Sequence, residues 1–384
     1  MSVRTKRFLT ATTALVGTII GLGVFQVPFA VAGVGVGLAA AYFVVLTGVQ
    51  LLQHLFYAEA AIATGPQIRL PGLAARFIGP RAGRVAGLAT ILSYWGALLA
   101  YIVAGGSFLH TVLSPWLAAS PFAYRLAWAL VASIAVWFSL EIVSELDLWA
   151  TAGLVAAMFA IFFWAAPHVQ LENFRLLSFG NRFLPYGIIL FSLSGFPVVA
   201  EMQEMVGNDR RIYRASIVTG TLIAAVLTAG FGFLVYGVCG VQTTVETVTG
   251  LQAVMGPSVA TVAALFGFLA VATSFLASAQ NLKNTFIYDY RLPRSVSWLV
   301  AVGVPFGLFL LGAQDLATIV SFTAAVFGGV QAFIIAWLYV RVKRAKAVTE
   351  SPLRVPLSLA YVSMAFLAVG AAYEVAVSAA HLIF

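Results

Sequence analysis

Apolar runs follow one another along almost the whole chain, separated by short polar turns. They lie at about 8–32, 36–63, 83–112, 124–142, 147–166, 183–206, 213–238, 257–287, 295–312, 315–340 and 355–383. A helix needs about 20 consecutive apolar residues to cross the hydrocarbon core of a bilayer, so the pattern predicts an all-α polytopic membrane protein with eleven transmembrane helices. No polar stretch is long enough to fold by itself, and residues 1–384 are expected to form a single membrane domain. The first run follows Arg4, Lys6 and Arg7 and ends in Ala30-Val31-Ala32, the outline of a secretory leader. From Phe8 to Ala32 it is longer than the roughly 7–15 residues of a leader core, so it reads as the first spanning helix.

The polar turns carry an orientation signal. With the N-terminus in the cytoplasm, 18 of the 21 basic residues fall on the cytoplasmic side, and only Arg125, Arg175 and Arg182 fall outside. That asymmetry is the positive-inside pattern, and with eleven spans it places Phe384 on the extracytoplasmic side. The sixth helix then runs opposite to the first. Residues 8–166 and 183–340 are expected to be inverted five-helix repeats, with 355–383 as an additional helix.

Inverted-repeat transporters place their sites at interrupted helices in matching positions of the two halves. Such interruptions occur in both halves here. Helix one holds Gly17-Thr18-Ile19-Ile20-Gly21-Leu22-Gly23 and then Pro28; helix six holds Ser192-Leu193-Ser194-Gly195-Phe196-Pro197. Each glycine weakens a helix by about 1 kcal/mol relative to alanine, and proline removes a backbone donor. An opened helix exposes N–H groups for a carboxylate and carbonyls for a cation, which a bilayer tolerates only where they line a protein cavity. Close packing by small residues would explain one such stretch; the coincidence in both halves favours a binding site.

Composition narrows the function classes. The chain is 62% hydrophobic and 9% charged, with a mean hydropathy of +1.00, against about 25% charged residues in soluble domains. The net charge of +8 therefore reflects loop orientation, and no nucleic-acid partner is expected. Cys239 is the only cysteine, which excludes an intramolecular disulfide. His54, His110, His168 and His381 are scattered, and His54 with Glu59 does not make an HExxH zinc pattern. An intramembrane enzyme would need such a cluster or an activated nucleophile; a divalent-metal transporter of the same architecture would want Asp, Asn or Met between Gly17 and Gly23; a channel would need a filter sequence. The expectation is a transporter, without cofactor, whose partners are a small solute and the lipid bilayer.

Four sequence stretches carry a resemblance: Gly17 to Pro28 with Ala32-Gly33-Val34-Gly35, Leu73 to Gly79, Leu99 to Gly106, and Ala272 to Leu276. Together they are similar to the bacterial aromatic and hydroxy amino acid permeases of the amino acid/auxin permease family. The resemblance implies a LeuT-like fold of eleven helices, with helices one and six broken, and symport of a neutral L-amino acid, aromatic ones included, driven by a sodium or proton gradient. Carried over position by position, it implies substrate binding at Gly17, Thr18, Gly21, Leu22, Gly23, Tyr101, Phe191, Ser192, Ser194, Gly195 and Phe196. It implies a cation site from the carbonyls of Gly17, Ile20 and Ala270 and the hydroxyls of Thr273 and Ser274. Val24 stands where sodium-coupled relatives have an asparagine of a further sodium site, and no lysine lies between Asp147 and Pro167, where some proton-coupled members have one. The neutral hydroxyl set favours sodium.

Carboxylates within spans are costly, about 2.5–3.5 kcal/mol at a helix centre, and are functional candidates for that reason. Glu59, Glu201 and Glu204 are candidate proton or gate residues, with Lys283 as a prospective partner. Glu201 and Glu204 lie three apart on one helical face, where they repel unless one is paired or protonated.

Overall fold

The interrupted helices are broken where the glycines and prolines stand. In the computed structural model, which describes residues 2–64, 68–138, 140–178, 182–207, 209–346 and 355–383, the first apolar run is two helices, α1 (Val3–Ile19) and α2 (Gly23–Val34), bent by 55° at their junction. The sixth is likewise two, α8 (Leu184–Ser192) and α9 (Phe196–Val206). Between them come α3 (Val36–Thr64), a short α4 (Leu70–Phe77), α5 (Pro80–Leu113), α6 (Pro121–Trp137) and α7 (Leu140–Ala165). After α9 follow α10 (Arg210–Cys239), a short α11 (Val248–Met255), α12 (Pro257–Tyr288) and α13 (Arg294–Leu310). The chain ends with α14 (Leu316–Phe322), a π-helical turn (Thr323–Gly328), α15 (Gly329–Arg344) and α16 (Leu357–Ile383).

The order of long elements in the first half, a broken helix followed by α3, α5, α6 and α7, recurs in the second as a broken helix, α10, α12, α13 and α14–α15. This order matches the LeuT-like fold that the sequence resemblance implies. Among the described residues, seven helices are long and apolar enough to cross a membrane and the bent pair α1–α2 makes an eighth. Three further apolar helices, Pro121–Trp137, Gly153–His168 and Arg294–Leu310, are shorter; the eleven-span count needs all three to cross as well. The turn between the fourth and fifth apolar runs comes earlier than the pattern suggested, because α6 starts at Pro121 and α7 at Leu140. The short α4 and α11, only 8 residues each, are too brief to register as apolar runs. Phe384, used above for orientation, and Arg354, one of the 18 basic residues counted on the cytoplasmic side, lie outside the described residues.

α5 and α12 pack along each other, α3 and α10 flank the broken helices, and α16 lies against α15. The interior is apolar, and several of its polar side chains find backbone partners that no lipid could supply. Trp128 donates to the Tyr101 carbonyl (3.1 Å), Gln331 to the Ala89 carbonyl (2.9 Å) and Tyr213 to the Val199 carbonyl (2.6 Å). The link between the halves is pinned to the end of the first broken helix: Ser178 donates to the Val34 carbonyl, and the Arg175 carbonyl accepts from Val36. Gly35 makes this passage possible with φ +83°, and a Cβ on it would stand 2.7 Å from the Arg175 oxygen.

Candidate substrate site between two broken helices

At the first break the four-residue hydrogen-bond ladder gives way to tighter turns. Gly21 donates to the Ile19 carbonyl (2.9 Å), Val24 to Gly21 (3.3 Å) and Phe25 to Leu22 (3.1 Å). At the second, Ser194 donates to the Phe191 carbonyl (3.1 Å) and Val198 to Gly195 (3.3 Å), while Pro197 has no N–H to leave open. The two breaks touch. A Cβ on Gly23 would lie 2.5 Å from the Ser192 Cα, and one on Gly195 would lie 2.7 Å from both Ile19 and Leu15 side-chain carbons. A Cβ on Gly21 would meet the Ser274 hydroxyl of α12 at 2.8 Å. Gly23 therefore lets backbone approach backbone, while Gly195 and Gly21 admit the side chains of α1 and α12 against the breaks.

Beside the paired breaks lies a cavity of about 340 Å³, within the roughly 300–1,000 Å³ of small-molecule pockets. Of the residues expected from the sequence, Gly17, Thr18, Gly21, Leu22, Gly23, Tyr101, Phe191, Ser194 and Phe196 line it, as do Thr273 and Ser274. Ser192 is buried off the wall, its hydroxyl donating to the Ile189 carbonyl (3.0 Å). The Gly195 N–H is taken by the imidazole of His54 at 3.0 Å. Ile20 and Ala270 are fully buried behind the wall. The Thr273 hydroxyl donates to the Leu269 and Ala270 carbonyls (3.1 Å each), whereas the buried Ser274 hydroxyl sits beside the Tyr101 hydroxyl. Among the described residues no three His, Cys, Asp or Glu side chains gather as a metal site.

The cavity runs toward the end that carries the N-terminus, past Thr10 and Thr13 of α1, Met205 of α9 and Asn281 and Asn284 of α12. The opposite end is shut by four buried phenylalanines. Phe25 of α2 packs on Phe108, Phe231 and Phe266 with ring centroids 5.0, 5.6 and 4.9 Å away. The Thr247 hydroxyl, just before α11, donates to the Phe25 carbonyl and ties that loop over the plug. One end of the cavity is open and the other is closed by these rings.

The charged candidates separate by location. Glu201 lines the cavity, and its Oε1 lies 3.6 Å from the Arg69 guanidinium, which precedes α4. Asp289, just beyond α12, is also under the influence of Arg69; burial raises its carboxyl above the ordinary aspartate range against the pull of that charge. Glu204 is turned outward and exposed. Glu59 is buried beside Tyr339. Lys283 requires a correction: the expected carboxylate partner is not where its ammonium goes. Nζ donates to the Val136 carbonyl at 2.7 Å, and Gln280 donates to the same oxygen and to the Phe138 carbonyl. The last carbonyls of α6 have no intrahelical partner and attract a cation, which gives Lys283 a structural task.

Several cavity residues were not anticipated. Gln50 and Gln53 of α3 line the wall; Gln50 donates to the Leu190 carbonyl (2.7 Å) and Gln53 to the Ser363 hydroxyl (2.8 Å). Ala324 and Gly328, from the π-helical turn, line it too, and such turns recur at functional sites. Ala-Ala-Val-Phe-Gly-Gly in that run gave no sign of a π turn, whereas three polar residues, Gln50, Gln53 and His54, on an apolar helix were a readable signal.

The comparisons with known proteins bear on the fold and the family. No curated protein matches the chain. Among solved structures, it is similar to Mhp1, described as a nucleobase-cation-symport-1 family transporter in a closed conformation with bromovinylhydantoin bound. The likeness covers 92% of this chain and 80% of that one at 14% identity and a TM-score of 0.65. At that identity it speaks for the fold alone, and the fold is that of a LeuT-like transporter. The family model described as the tryptophan/tyrosine permease family matches residues 4–372. Nearly the whole chain is covered, so the protein belongs to the tryptophan/tyrosine permease family and is a secondary transporter, not an enzyme.

Proposed function

We propose that the protein is a cation-coupled symporter of a neutral aromatic L-amino acid, working by alternating access as one membrane domain of eleven spans. The observation that supports this most is the meeting of the two breaks at the cavity wall. The Gly21 N–H is spent on the Ile19 carbonyl, so the first break offers the N–H groups of Leu22 and Gly23 for a carboxylate, and Tyr101, Phe191 and Phe196 offer ring faces for an aromatic side chain. Family membership points to the same substrate class. With the N-terminus in the cytoplasm, the open side faces inward and the Phe25 plug closes the outer path; movement of α1 and α9 against α5 and α12 would exchange the two.

Two couplings are on offer. Ser274 and Thr273 support sodium, held with the Gly17, Ile20 and Ala270 carbonyls. Glu201, in the cavity and beside Arg69, supports a proton. Titrating the purified protein with each of the common L-amino acids and following thermal stability tests the substrate class. Stabilisation by tryptophan or tyrosine above aliphatic and charged amino acids is expected; stabilisation by none of them, or by hydantoins alone, would remove the proposal.

A further inference from the structure

We infer that His54 is a positioning residue for the broken sixth helix: its neutral imidazole caps the half-helix α9 and fixes the part of the break that faces the cavity. A helix start leaves N–H groups without partners, and in a membrane protein no lipid can satisfy them. The residue at the start of α9 is Gly195, which has no side chain to act as a cap. Its own N–H points at His54 Nε2 of α3, 3.0 Å away, and the imidazole is fully buried. On its other face Gly195 presses against Leu15 and Ile19, the last turns of α1. The second break is thus held between the inner half of helix one and His54.

The protonation state follows from the partners. A backbone N–H can only donate, so Nε2 accepts and carries no proton; the proton of the neutral ring sits on Nδ1, which faces the Thr221 hydroxyl of α10 at 2.9 Å. Protonating Nε2 would set two donors against each other. No charged side chain among the described residues hydrogen-bonds or pairs with the ring. Two consequences follow. The Gly195 N–H is not available to a substrate carboxylate, which leaves that role to the first break. And Ser194 and Phe196, the cavity-lining residues on either side of Gly195, take their places from a peptide that His54 holds.

The role in transport rests on the cavity being the substrate site, whereas the hydrogen bond can be tested without it. In the full-length protein, His54→Leu should speed deuterium exchange in the segment 190–197, while His54→Gln, whose side-chain amide can accept and donate at similar reach, should exchange as the wild type does. In uptake, KM for tryptophan or tyrosine should rise about tenfold in His54→Leu with maximal rate little changed, and should return to within about threefold in His54→Gln. The pH profile of His54→Gln should match the wild type. If His54→Leu does not fold, Thr221→Val, which removes only the Nδ1 partner, should raise KM by a smaller factor. Unchanged exchange in His54→Leu overturns the inference whatever is transported. So does a His54→Gln protein that binds normally but loses a limb of the pH profile, since that result would make His54 a proton carrier. Absence of any amino acid uptake in the wild type would instead refute the function proposed above and leave the exchange result to decide on His54.

Discussion

Gly23, the first residue of α2, lies so close to Ser192, the last of α8, that a Cβ on it would stand 2.5 Å from the Ser192 Cα and 3.0 Å from its nitrogen. These are backbone atoms and cannot rotate aside. Gly23→Ala should therefore separate the two breaks, abolish uptake and lower stability by about 1–3 kcal/mol. Gly21 meets only the Ser274 side chain, whose Cβ would remain 3.7 Å away. Gly21→Ala should thus destabilise the protein in thermal melts, and adding Ser274→Ala should restore the loss. A Gly21→Ala defect that persists in the double variant would show that the glycine serves backbone conformation and not close approach.

Access to the cavity makes a separate prediction. Cys239 is the sole cysteine and is buried, so replacing it with serine gives a clean background. In that background Thr10→Cys and Asn284→Cys, both on the open path, should react with a bulky polar thiol reagent. Phe25→Cys, inside the plug, should be inert until the opposite path opens. The reverse pattern would mean that the carrier rests with its other side open.

Asp289 gives a pH prediction. Burial raises its carboxyl above the ordinary aspartate range, so the folded chain holds that proton more tightly than the unfolded one. Its contribution to stability is complete below the unfolded value and disappears as pH rises through the folded value. Asp289→Asn should be at least as stable as the wild type near neutral pH, and the difference should vanish at about pH 4. A neutral-pH loss of stability in Asp289→Asn would mean that attraction to Arg69 outweighs burial.

Much of the architecture could be read from hydrophobic spacing, and both breaks from glycine and proline, because those signals are local to a helix. The remainder depends on partners far apart in the chain. His54 reads as an isolated histidine in an apolar run until Gly195, 141 positions away, is seen to donate to it. Lys283 looks like a partner for a glutamate on charge alone, yet α6 ends beside it and the Val136 carbonyl accepts its hydrogen bond. Ser192 sits in the helix-six motif but serves its contact with Gly23, and nothing in a one-dimensional pattern distinguishes a wall residue from one just behind the wall.

Coupling can be separated by mutation. Thr273→Val with Ser274→Ala should remove sodium-stimulated uptake if sodium is the coupling ion, and Glu201→Gln should leave that stimulation in place. Uptake that follows a pH gradient in sodium-free buffer and is lost in Glu201→Gln would assign coupling to the carboxylate beside Arg69, and the α12 hydroxyls would then be packing groups.

The most direct test of the account is uptake of labelled tryptophan and tyrosine into proteoliposomes, with sodium and proton gradients imposed one at a time, by the wild type and by Gly23→Ala. Saturable uptake driven by one of the gradients, and absent from a Gly23→Ala protein that still inserts and folds, is the expected result. No gradient-driven uptake by the wild type, or equal uptake by Gly23→Ala, would contradict a substrate site built where the two broken helices meet.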